Sequence, residues 1–439
     1  MREMKDSGIE WIGEIPKDWK IGCIKNIIEV LTDYTANGSF ADLAKNVHYL
    51  NNDGFARLVR LTDLRLDLSN DDGVYVSEKS YNYLAKSSLF GGEILVANVG
   101  AYAGLFCEMP QKEGRFTLGP NMFLLRTNKR MIQHYLFYLG QTKCVKEQLA
   151  QKAISSAQPK LNKTDLKTVF IVIPSIVEQQ HIVDFLTSKC SEIDATAEDI
   201  KKEISLLEDY KTSVITEAVT KGLNPDVEMK DSGIEYIGIT PIHWNKYRLK
   251  YILLERNIRT ITGEEMLLSV SQYKGVVPSK DIYNRTMQAN SLIGYKIVKK
   301  DDLVFNKLNP GLARFGNSEF DGITSPDFSV YIVDDKKCTA KFLQHLLKTY
   351  KYVAKIKGDC TGVGDGFARL YSEQLYRFVV SLPPIEELHS IVAYIDSKCS
   401  EIDTLIADKK RQLDILADYK KSLIYEYVTG KKEVPVKDF

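Results

Sequence analysis

A chain of 439 residues has the size of two or three domains, and 44% hydrophobic with 27% charged residues is ordinary for a globular protein with a sizeable core. No apolar run approaches the roughly 18 residues that a membrane span requires, and the first twenty residues lack the apolar stretch of an export signal. These features argue against a membrane protein and predict a cytoplasmic one. Seven cysteines without a Cys-x-x-Cys pair argue against a disulfide framework and a zinc knuckle.

The net charge of +1 conceals an uneven distribution along the chain. Residues 20–165 hold 18 basic against 14 acidic residues, residues 245–371 hold 21 against 13, and the remainder holds 20 against 31. A phosphate backbone is attracted to positively charged surfaces. The sequence therefore predicts two basic segments that could bind nucleic acid within an acidic framework, although the surplus in the first segment is small enough to arise by chance.

Two sequence segments occur twice. Residues 4–19 and 229–244 both begin with Met-Lys-Asp-Ser-Gly-Ile-Glu, at a spacing of 225 residues. The heptapeptide Ser-Lys-Cys-Ser-Glu-Ile-Asp occupies residues 188–194 and 397–403, at a spacing of 209. Identity over so long a period indicates a tandem duplication, in which a short repeat, a variable segment and a helix each occur twice.

The variable segments predict a mixed α and β fold. Short apolar or alternating runs bounded by Gly, Asn and Pro are typical of strands, and apolar residues at helical spacing predict one helix over residues 131–151 and another over 340–355. Because each helix follows a predicted strand at a similar place, we expect the two segments to share one fold. The predicted strands are Ala56–Leu61, Glu93–Val99, Met122–Arg126, Thr168–Ile173, Leu303–Phe305, Ser329–Val333 and Arg377–Leu382.

A heptad pattern follows each variable segment. Apolar residues recur every seven positions between residues 186 and 214, and again between 395 and 423 with an interruption at Lys409. A proline precedes each pattern, which is a helix-start signal. We predict long helices over residues 176–219 and 385–428 that pack on each other, each about 66 Å long at 1.5 Å per residue.

The repeated segments resemble the central conserved region of specificity subunits of type I restriction-modification systems. The resemblance rests on Ile173–Gln180 (Ile-Pro-Ser-Ile-Val-Glu-Gln-Gln), on Val214–Pro225 and on Met229–Glu235. The distal copy departs from the pattern, because Pro383–Leu388 lacks the glutamine usual after the glutamate and the sequence stops at Phe439, where another Met-Lys-Asp-Ser would begin. The resemblance implies that the N-terminal repeat supplies this continuation, so that the termini meet.

The resemblance covers the whole chain in order. It implies an α+β fold with two mixed α/β target-recognition domains separated by two long antiparallel coiled-coil helices, in a pseudo-twofold circular tandem repeat. The implied segments are 1–19, which closes the ring; 20–173, the first recognition domain; 174–222, the central helix; 223–244, the repeated junction; 245–382, the second recognition domain; and 383–439, the distal helix and tail.

The function implied by the resemblance is DNA recognition without catalysis. Family members recognise a bipartite, gapped site in duplex DNA, with one recognition domain per half-site. They carry two methyltransferase subunits, which use S-adenosylmethionine, and in full systems translocating endonuclease subunits; no cofactor is expected on this chain. Two alternatives stay open: a specificity module of a methylation-only or other phage-defence complex, and a coiled-coil DNA-binding scaffold without sequence specificity.

No catalytic motif supports a self-sufficient enzyme. Residues 224–226 and 309–311 begin with Asn-Pro, but both lack the second proline and the aromatic residue with which amino-methyltransferases hold a flipped base. None of the six histidines forms a His-x-x-x-His pair or adjoins a cysteine. We therefore expect neither catalysis nor a bound metal ion.

Base contacts are expected from the variable segments, because Arg and Lys recognise guanine whereas Asn and Gln recognise adenine. Tyrosines are scattered without a stacking ladder, which favours duplex over single-stranded DNA. Taken singly, each candidate also fits a solvated surface group; Arg369 is the best placed, because Arg369-Leu370 aligns with Lys160-Leu161 at a spacing of 209. The DNA-binding candidates are Asn37, Ser39, Lys45, Asn46, His48, Asn98, Lys160, Lys163, Arg256, Arg259, Lys274, Arg285, Lys307, Arg314 and Arg369.

A second candidate surface lies on the predicted helices, where polar residues recur in both copies. Two equal surfaces indicate two copies of one partner, although helix packing alone explains repeated apolar positions such as Ile193 and Ile402. The partner-binding candidates are Glu178, Gln179, Lys189, Glu192, Asp209, Tyr210, Lys211, Glu387, Lys398, Glu401, Asp418, Tyr419 and Lys420.

Overall fold

The computed structural model describes residues 2–51, 53–153, 159–272, 275–282, 291–308, 310–361 and 368–435. The chain divides into two compact units, of which one combines the residues up to Ile200 with those from Arg411 onward and the other comprises Lys201–Lys410. Each unit therefore contains one variable segment together with parts of both long helices.

The first unit contains thirteen strands and six short helices among its described residues. Its strands are β1 Met4–Asp6, β2 Glu14–Pro16, β3 Lys20–Cys23, β4 Ile28–Asp33, β5 Tyr49–Asn51, β6 Ala56–Val59, β7 Val74–Val76, β8 Ser88–Leu89, β9 Ile94–Ala97, β10 Phe106–Glu108, β11 Phe116–Leu118, β12 Met122–Thr127 and β13 Phe170–Ile173. Its short α-helices are α1 Phe40–Asn46, α2 Leu61–Leu64, α3 Glu78–Tyr83, α4 Gln133–Gln141, α5 Lys143–Lys152 and α6 Lys163–Lys167.

The long helix α7, Ile176–Lys221, leads from the first unit into the second. The strands of the second unit are β14 Met229–Asp231, β15 Ile239–Pro241, β16 Asn245–Arg248, β17 Leu253–Glu255, β18 Leu268–Ser271, β19 Gly275–Pro278, β20 Lys296–Val298, β21 Leu303–Asn306, β22 Phe315–Asn317, β23 Gly322–Thr324, β24 Phe328–Val333 and β25 Val379–Leu382. Its helices are α8 Ala340–Leu347, α9 Tyr350–Asp359, α10 Ser372–Arg377 and the first part of α11 Ile385–Val428.

The central sheet has the same strand order in both units. It is β10-β9-β12-β4 in the first unit and β22-β21-β24-β17 in the second, and all neighbouring strands are antiparallel. A separate ladder joins the strand that enters each variable segment to the strand that leaves it, β3 with β13 and β16 with β25. The prediction that the variable segments share one fold is confirmed.

The units differ in what is added to this common sheet. The first unit has a five-stranded sheet, β5-β7-β6-β11-β8, whereas the second has the two hairpin-like pairs β18-β19 and β20-β23. All seven strands predicted from the sequence are present, with ends within two residues of those expected.

Each of the two helices predicted within the variable segments, over residues 131–151 and 340–355, is wrong in one respect, because each is a pair of helices. The break falls at Thr142 between α4 and α5 and at Thr349 between α8 and α9, where the backbone is extended with ψ near 150°. Each threonine hydroxyl donates to the carbonyl three residues earlier, at 2.6 and 2.8 Å. Such local bonding competes with helix continuation, while the apolar periodicity persists because both helices bury an apolar face.

The long helices extend over the predicted residues to within two positions. Within the first unit α7 and α11 are antiparallel, because Asp194 accepts hydrogen bonds from Lys420 whereas the ring of Phe185 packs on Tyr427 further along. The prediction of mixed α/β segments combined with long antiparallel helices is confirmed.

The segment that occurs twice, at residues 4–19 and 229–244, folds as a short hairpin in both copies. Strand β1 pairs with β2 and β14 with β15, in the same register. In both turns an aspartate side chain, Asp6 or Asp231, accepts a hydrogen bond from the glycine two residues later at 2.9 Å. That glycine, Gly8 or Gly233, has a φ of +67°, which disfavours any side chain. The Asp-Ser-Gly sequence is therefore a turn signal rather than a binding motif.

In the first unit, a buried tryptophan joins the start of α7 to the end of α11. Trp19 is 1% exposed, and its indole N–H donates to Glu178 Oε2 at 2.9 Å in the first turn of α7. The chain turns at Gly430, with a φ of +71°, where a Cβ would lie 2.5 Å from the Pro16 ring and 3.1 Å from Trp19. The N-terminal repeat thus packs against the C-terminal end of α11, the place where the ring was expected to close.

The second unit repeats this arrangement, but there the repeated segment follows the end of α7 directly along the chain. Trp244 is 1% exposed, and its indole N–H donates to Glu387 at 3.1 Å in the first turn of α11. The end of α7 lies beside it, since a Cβ on Gly222 would be 3.5 Å from the Trp244 ring. No helix among the described residues is long and apolar enough to cross a membrane.

The N-terminal repeat contacts the end of α11, and this contact is called the closure. Two glycine substitutions separate the effect of packing at the closure on stability from the effect of backbone strain. Gly8→Ala places a Cβ at φ +67° with nothing within 4 Å, so we expect a loss of about 1 kcal/mol in the free energy of unfolding. Gly430→Ala adds overpacking against Pro16, and we expect about 3 kcal/mol. Urea unfolding of both variants measures the difference, and equal losses would contradict a tightly packed closure.

Candidate nucleic-acid interface

In the first unit, two of the predicted residues lie on adjacent segments beside the central sheet. Asn98 directly follows β9, and its carbonyl accepts a hydrogen bond from the Leu161 N–H at 2.9 Å. The next residue, Val99, forms an isolated antiparallel bridge with Lys160. Leu161 is 1% exposed, so a buried side chain anchors the segment that carries Lys160.

The second unit places two other predicted residues in the same way. Lys307 directly follows β21, and its carbonyl accepts a hydrogen bond from the Leu370 N–H at 3.2 Å. Leu308 forms an isolated bridge with Arg369, and Leu370 is 3% exposed. Every one of these positions is 209 residues beyond its counterpart, so the duplication preserves the backbone arrangement while the side chains differ.

A cleft of about 750 Å³ in the first unit brings together four of the predicted residues, Ser39, Asn98, Lys160 and Lys163. The Asn98 side-chain oxygen is buried without a hydrogen-bond partner among the described residues. A buried polar atom that lacks a partner calls for an explanation, such as a ligand or water. The cleft is therefore the candidate DNA-contacting surface of the first unit.

Two of the four residues in the cleft are engaged internally. Lys163 Nζ lies 3.0 Å from Asp33 Oδ2. Ser39 caps helix α1, because its hydroxyl oxygen accepts from the Asp42 N–H at 3.2 Å and its hydroxyl donates to the Asp42 carboxylate at 2.6 Å. Asn98 and the exposed Lys160 are left with side chains available to a ligand.

Lys307 lies near a buried ionic cluster in the second unit. Lys296, only 3% exposed, lies 3.2 Å from Glu255 Oε1, and the Ser372 hydroxyl donates to Glu255 Oε2 at 2.6 Å. Burial opposes ionisation of Glu255, but the hydrogen bonds from Ser372 and Lys296 outweigh it and lower the pKa of that carboxyl. Burial and the neighbouring Lys296 lower the pKa of Lys307.

Three of the predicted DNA-binding residues have hydrogen-bond partners within the chain. Asn37 donates to the Tyr34 carbonyl and to Ser87 Oγ, and it accepts from the Lys86 N–H, so its amide is fully used. The side chain of Asn46 donates to a backbone carbonyl within α1 at 2.8 Å.

The third is Arg256, which forms a two-pronged hydrogen bond with Asp302 at 2.7 and 3.0 Å. Asp302 is almost fully buried and the Arg256 side chain is only 17% exposed. A short-range pattern does not reveal an internal partner such as Asp302, which is 46 residues away from Arg256. Contact of these three residues with DNA stays a prediction.

Other predicted residues stay exposed outside the first-unit cleft. Lys45, His48 and Arg314 are exposed, and Arg259 donates to the Gly294 carbonyl at 2.8 Å from an exposed position. Lys274 and Arg285 lie outside the described residues, as does Asn309 of the incomplete Asn-Pro motif. No group of three or more potential metal ligands occurs among the residues that the structure describes.

Sequence reasoning missed part of the cleft. Phe40 lines it with its side chain 79% exposed, and Asn121 and Asn162 line it as well. The Ser-x-x-Asp capping signal at residues 39–42 identifies the start of α1, but nothing in the sequence indicates that the following phenylalanine points outward. Lys296 was missed because a charged residue in an alternating strand is ordinarily assigned to solvent.

Three of the predicted partner-binding residues face inward. Gln179 is fully buried, and its amide bonds the Ile132 N–H and the carbonyls of Arg130 and Pro174, so its prediction as a partner contact is wrong. Glu178 and Glu387 accept hydrogen bonds from the buried tryptophans described above, so each glutamate stabilises its own unit. Repetition of these residues reflects folding.

Lys211 and Lys420 form ion pairs between the two long helices. Lys420 Nζ lies 2.7 Å from both carboxylate oxygens of Asp194 in the first unit, and Lys211 Nζ lies 2.7 Å from both oxygens of Asp403 in the second. The lysine and the aspartate always come from different copies of the repeat. Lys409, which interrupts the heptad pattern, lies 2.5 Å from Glu203 on the facing helix.

The other predicted partner-binding residues are exposed or, for Lys189 and Lys398, partly exposed, and they match between the copies. Lys189 pairs with Glu192 at 2.8 Å, and Lys398 pairs with Glu401 at 2.8 Å, each within one turn of its helix. Tyr210 is 55% exposed and its counterpart Tyr419 is 54% exposed. Asp209 and Asp418 are exposed beside these tyrosines. Neither copy buries this set against its own unit.

Comparison with known proteins agrees with this architecture. Residues 16–206 match the family model of the type I restriction modification DNA specificity domain. Over 96% of both chains, the sequence is 26% identical to a protein of Methanocaldococcus jannaschii that carries the provisional name of type I restriction enzyme MjaX specificity subunit.

Two solved structures share the fold. A chain from work on complex assembly and conformational transition of the type I R-M system has a TM-score of 0.67 and 14% identity, covering 95% of this chain and 99% of that chain. The HsdS subunit of Thermoanaerobacter tengcongensis has a TM-score of 0.51 and 13% identity, covering 95% and 98%. The predicted resemblance to specificity subunits of type I restriction-modification systems is confirmed, and residues 16–206 match that family's DNA specificity domain.

Two arginines of the second unit separate structural from DNA-contacting roles. Arg256→Ala leaves the buried Asp302 without its partner, so we expect a loss of about 3 kcal/mol in stability. Arg314→Ala removes an exposed charge, so we expect unchanged stability and weaker DNA binding with a shallower salt dependence. Chemical unfolding and DNA titrations at several salt concentrations provide both measurements; a stability loss for Arg314→Ala would contradict its assignment.

Proposed function

We propose that this chain is the DNA sequence-specificity subunit of a type I restriction-modification complex. In this proposal it is not an enzyme itself and recognises a bipartite, gapped site in duplex DNA, with one recognition domain for each half-site. The observation that carries the proposal is the equivalence of Asn98 with Lys307 and of Lys160 with Arg369. One backbone arrangement presents two different sets of side chains, as expected if two related domains recognise different sequences.

Docking of the partners is assigned to the long helices. Two pairs of residues match between the copies, the partly exposed Lys189 with Lys398 and the exposed Tyr210 with Tyr419. They offer two like surfaces for two copies of a methyltransferase subunit. That subunit would bring S-adenosylmethionine, so this chain needs no cofactor. One structural neighbour comes from work on assembly of a type I R-M system, which supports such a complex. In a full system an endonuclease subunit would join it.

The long helices are proposed to act as a spacer of fixed length. Helices of 46 and 44 residues extend about 69 and 66 Å. The lysine–aspartate ties, meaning the ion pairs Asp194–Lys420 and Lys211–Asp403, fix the register of the two helices within each unit. A spacer of fixed length would set the number of unrecognised base pairs between the half-sites, as dimer geometry does in other DNA-binding proteins.

The alternatives differ in what they require. A specificity module of a methylation-only or other phage-defence complex would use the same DNA contacts and lack only the endonuclease. A DNA-binding scaffold without sequence specificity would gain nothing from replacing Asn98 by a lysine at the equivalent position of the second unit. The second alternative is therefore disfavoured by the side chains themselves.

Deleting one heptad from each helix tests the spacer. Removing residues 197–203 and 406–412 retains both lysine–aspartate ties and shortens each helix by about 10 Å, close to three base pairs at 3.4 Å each. We expect the gap of the recognised sequence to shorten by about three base pairs or recognition to be lost. Methylation-motif sequencing of a host that expresses the variant with its partner subunits measures the gap.

The matched control deletes residues 197–203 alone. This change misaligns the two ties, so we expect impaired folding rather than a new motif, which circular dichroism and thermal unfolding would detect. An unchanged gap in the double deletion would refute the spacer function.

Exchange of one variable segment tests the modular assignment. Replacing residues 20–165 by the corresponding segment of a relative with a different motif is expected to change one half of the methylated sequence and leave the other intact. The readout is the methylation motif in the genome, compared with a strain that lacks the gene. Changes in both halves would contradict one recognition domain per half-site.

A further inference from the structure

We infer that the residue directly after β9 and β21 determines base specificity, with Asn98 recognising an adenine in one half-site and Lys307 a guanine in the other. This inference rests on the proposed function and extends it to a named position and a base class. It follows from comparing three polar positions on the segments that meet at Asn98 and Lys307: residues 98 and 307, 160 and 369, and 163 and 372.

Two of the shared positions do not fit the role. Residues 160 and 369 are lysine and arginine, both exposed cations, and such a pair serves phosphate contacts in both domains equally well. Residues 163 and 372 are bound internally, Lys163 to Asp33 at 3.0 Å and the Ser372 hydroxyl to Glu255 at 2.6 Å. Of these three positions, that of Asn98 and Lys307 is the one that changes chemical class between the domains without an ion pair or side-chain hydrogen bond to any residue that the structure describes.

The Asn98 side chain suits adenine. Its amide oxygen is buried without a hydrogen-bond partner, and no internal bond among the described residues fixes the orientation of the amide at the cleft. Rotation about χ2 can therefore direct both amide atoms into the cleft. The amide NH₂ and oxygen complement the N7 acceptor and N6 donor that adenine presents in the major groove.

The Lys307 side chain suits guanine. An ammonium group only donates hydrogen bonds, and guanine presents two acceptors, O6 and N7, in the major groove. Burial and the neighbouring Lys296 disfavour its charge, while Lys296 is itself paired with Glu255. A partly buried cation that has no ion pair or hydrogen-bond acceptor within the described part of the chain gains most from an acceptor pair in the ligand. Its carbonyl is meanwhile held by Leu370, so the side chain projects from a fixed backbone.

Reciprocal exchange of the two side chains tests the inference in the full-length chain. Selection from a library of random duplex DNA with Asn98→Lys should replace one A·T pair of one half-site by G·C, with a change in preference of about tenfold. Lys307→Asn should make the opposite replacement in the other half-site. Asn98→Ala should relax the preference at that single base pair without altering the rest of the motif.

Lys129→Ala and Lys336→Ala, which remove exposed lysines elsewhere on the two units, serve as controls and should leave the motif unchanged. If wild-type protein selects no motif at all, the proposed function fails and this inference fails with it. If wild-type protein selects a gapped motif that Asn98→Ala and Lys307→Asn leave unchanged, the inference alone is overturned. Thermal unfolding of each variant excludes misfolding as the cause of a lost motif.

Discussion

The hydrogen bond from a buried tryptophan to a glutamate in the first turn of a long helix is the interaction on which each unit depends. It joins Trp19 to Glu178 and Trp244 to Glu387. A buried tryptophan contributes a large apolar area and needs a partner for its N–H, and a hydrogen bond to a charged acceptor is stronger than an ordinary one. Because the end of the other long helix packs on the same ring, three segments distant in sequence meet at one side chain.

This arrangement explains why the sequence repeats where it does. In the second unit the repeated segment follows the end of α7 without interruption, whereas in the first unit residues 4–19 reach the end of α11 only through space. The contacts are nevertheless the same in kind, including a glycine with positive φ beside the tryptophan, Gly222 or Gly430. The repeat is thus conserved within the chain for a structural reason, and the surface it presents need not contact a ligand.

Local periodicity made the framework predictable. Heptad spacing depends on neighbours three and four residues apart, so the long helices were placed to within two residues and the strands nearly as well. The breaks at Thr142 and Thr349 were not predicted, because the helices before and after each break both keep an apolar face. A threonine that turns its hydroxyl back onto a carbonyl looks, in sequence, like any other helical residue.

The candidate site was predictable only where the duplication supplied a second observation. Lys160 and Arg369 were matched by their common spacing, and the structure places them at one equivalent position. Arg256, Asn37 and Gln179 each have an internal partner that sequence spacing does not reveal. The counterpart of Gln179 in the second copy is the fully buried Leu388, and this apolar residue was the available sign of a buried position.

One backbone arrangement can carry two different sets of candidate contact residues because other residues, which are buried, anchor it. Leu161 and Leu370, both nearly fully buried, hold the returning segment in the two units, and their N–H groups fix the carbonyls of Asn98 and Lys307. The free energy of folding is therefore supplied by the anchors and the central sheet rather than by the residues at positions 98 and 307. No hydrogen bond or ion pair to the described residues holds either side chain, so we expect replacements at these two positions to cost less stability than replacements of Trp19 or Glu178. A fixed framework and variable contact residues are consequences of the same distribution of buried hydrogen bonds.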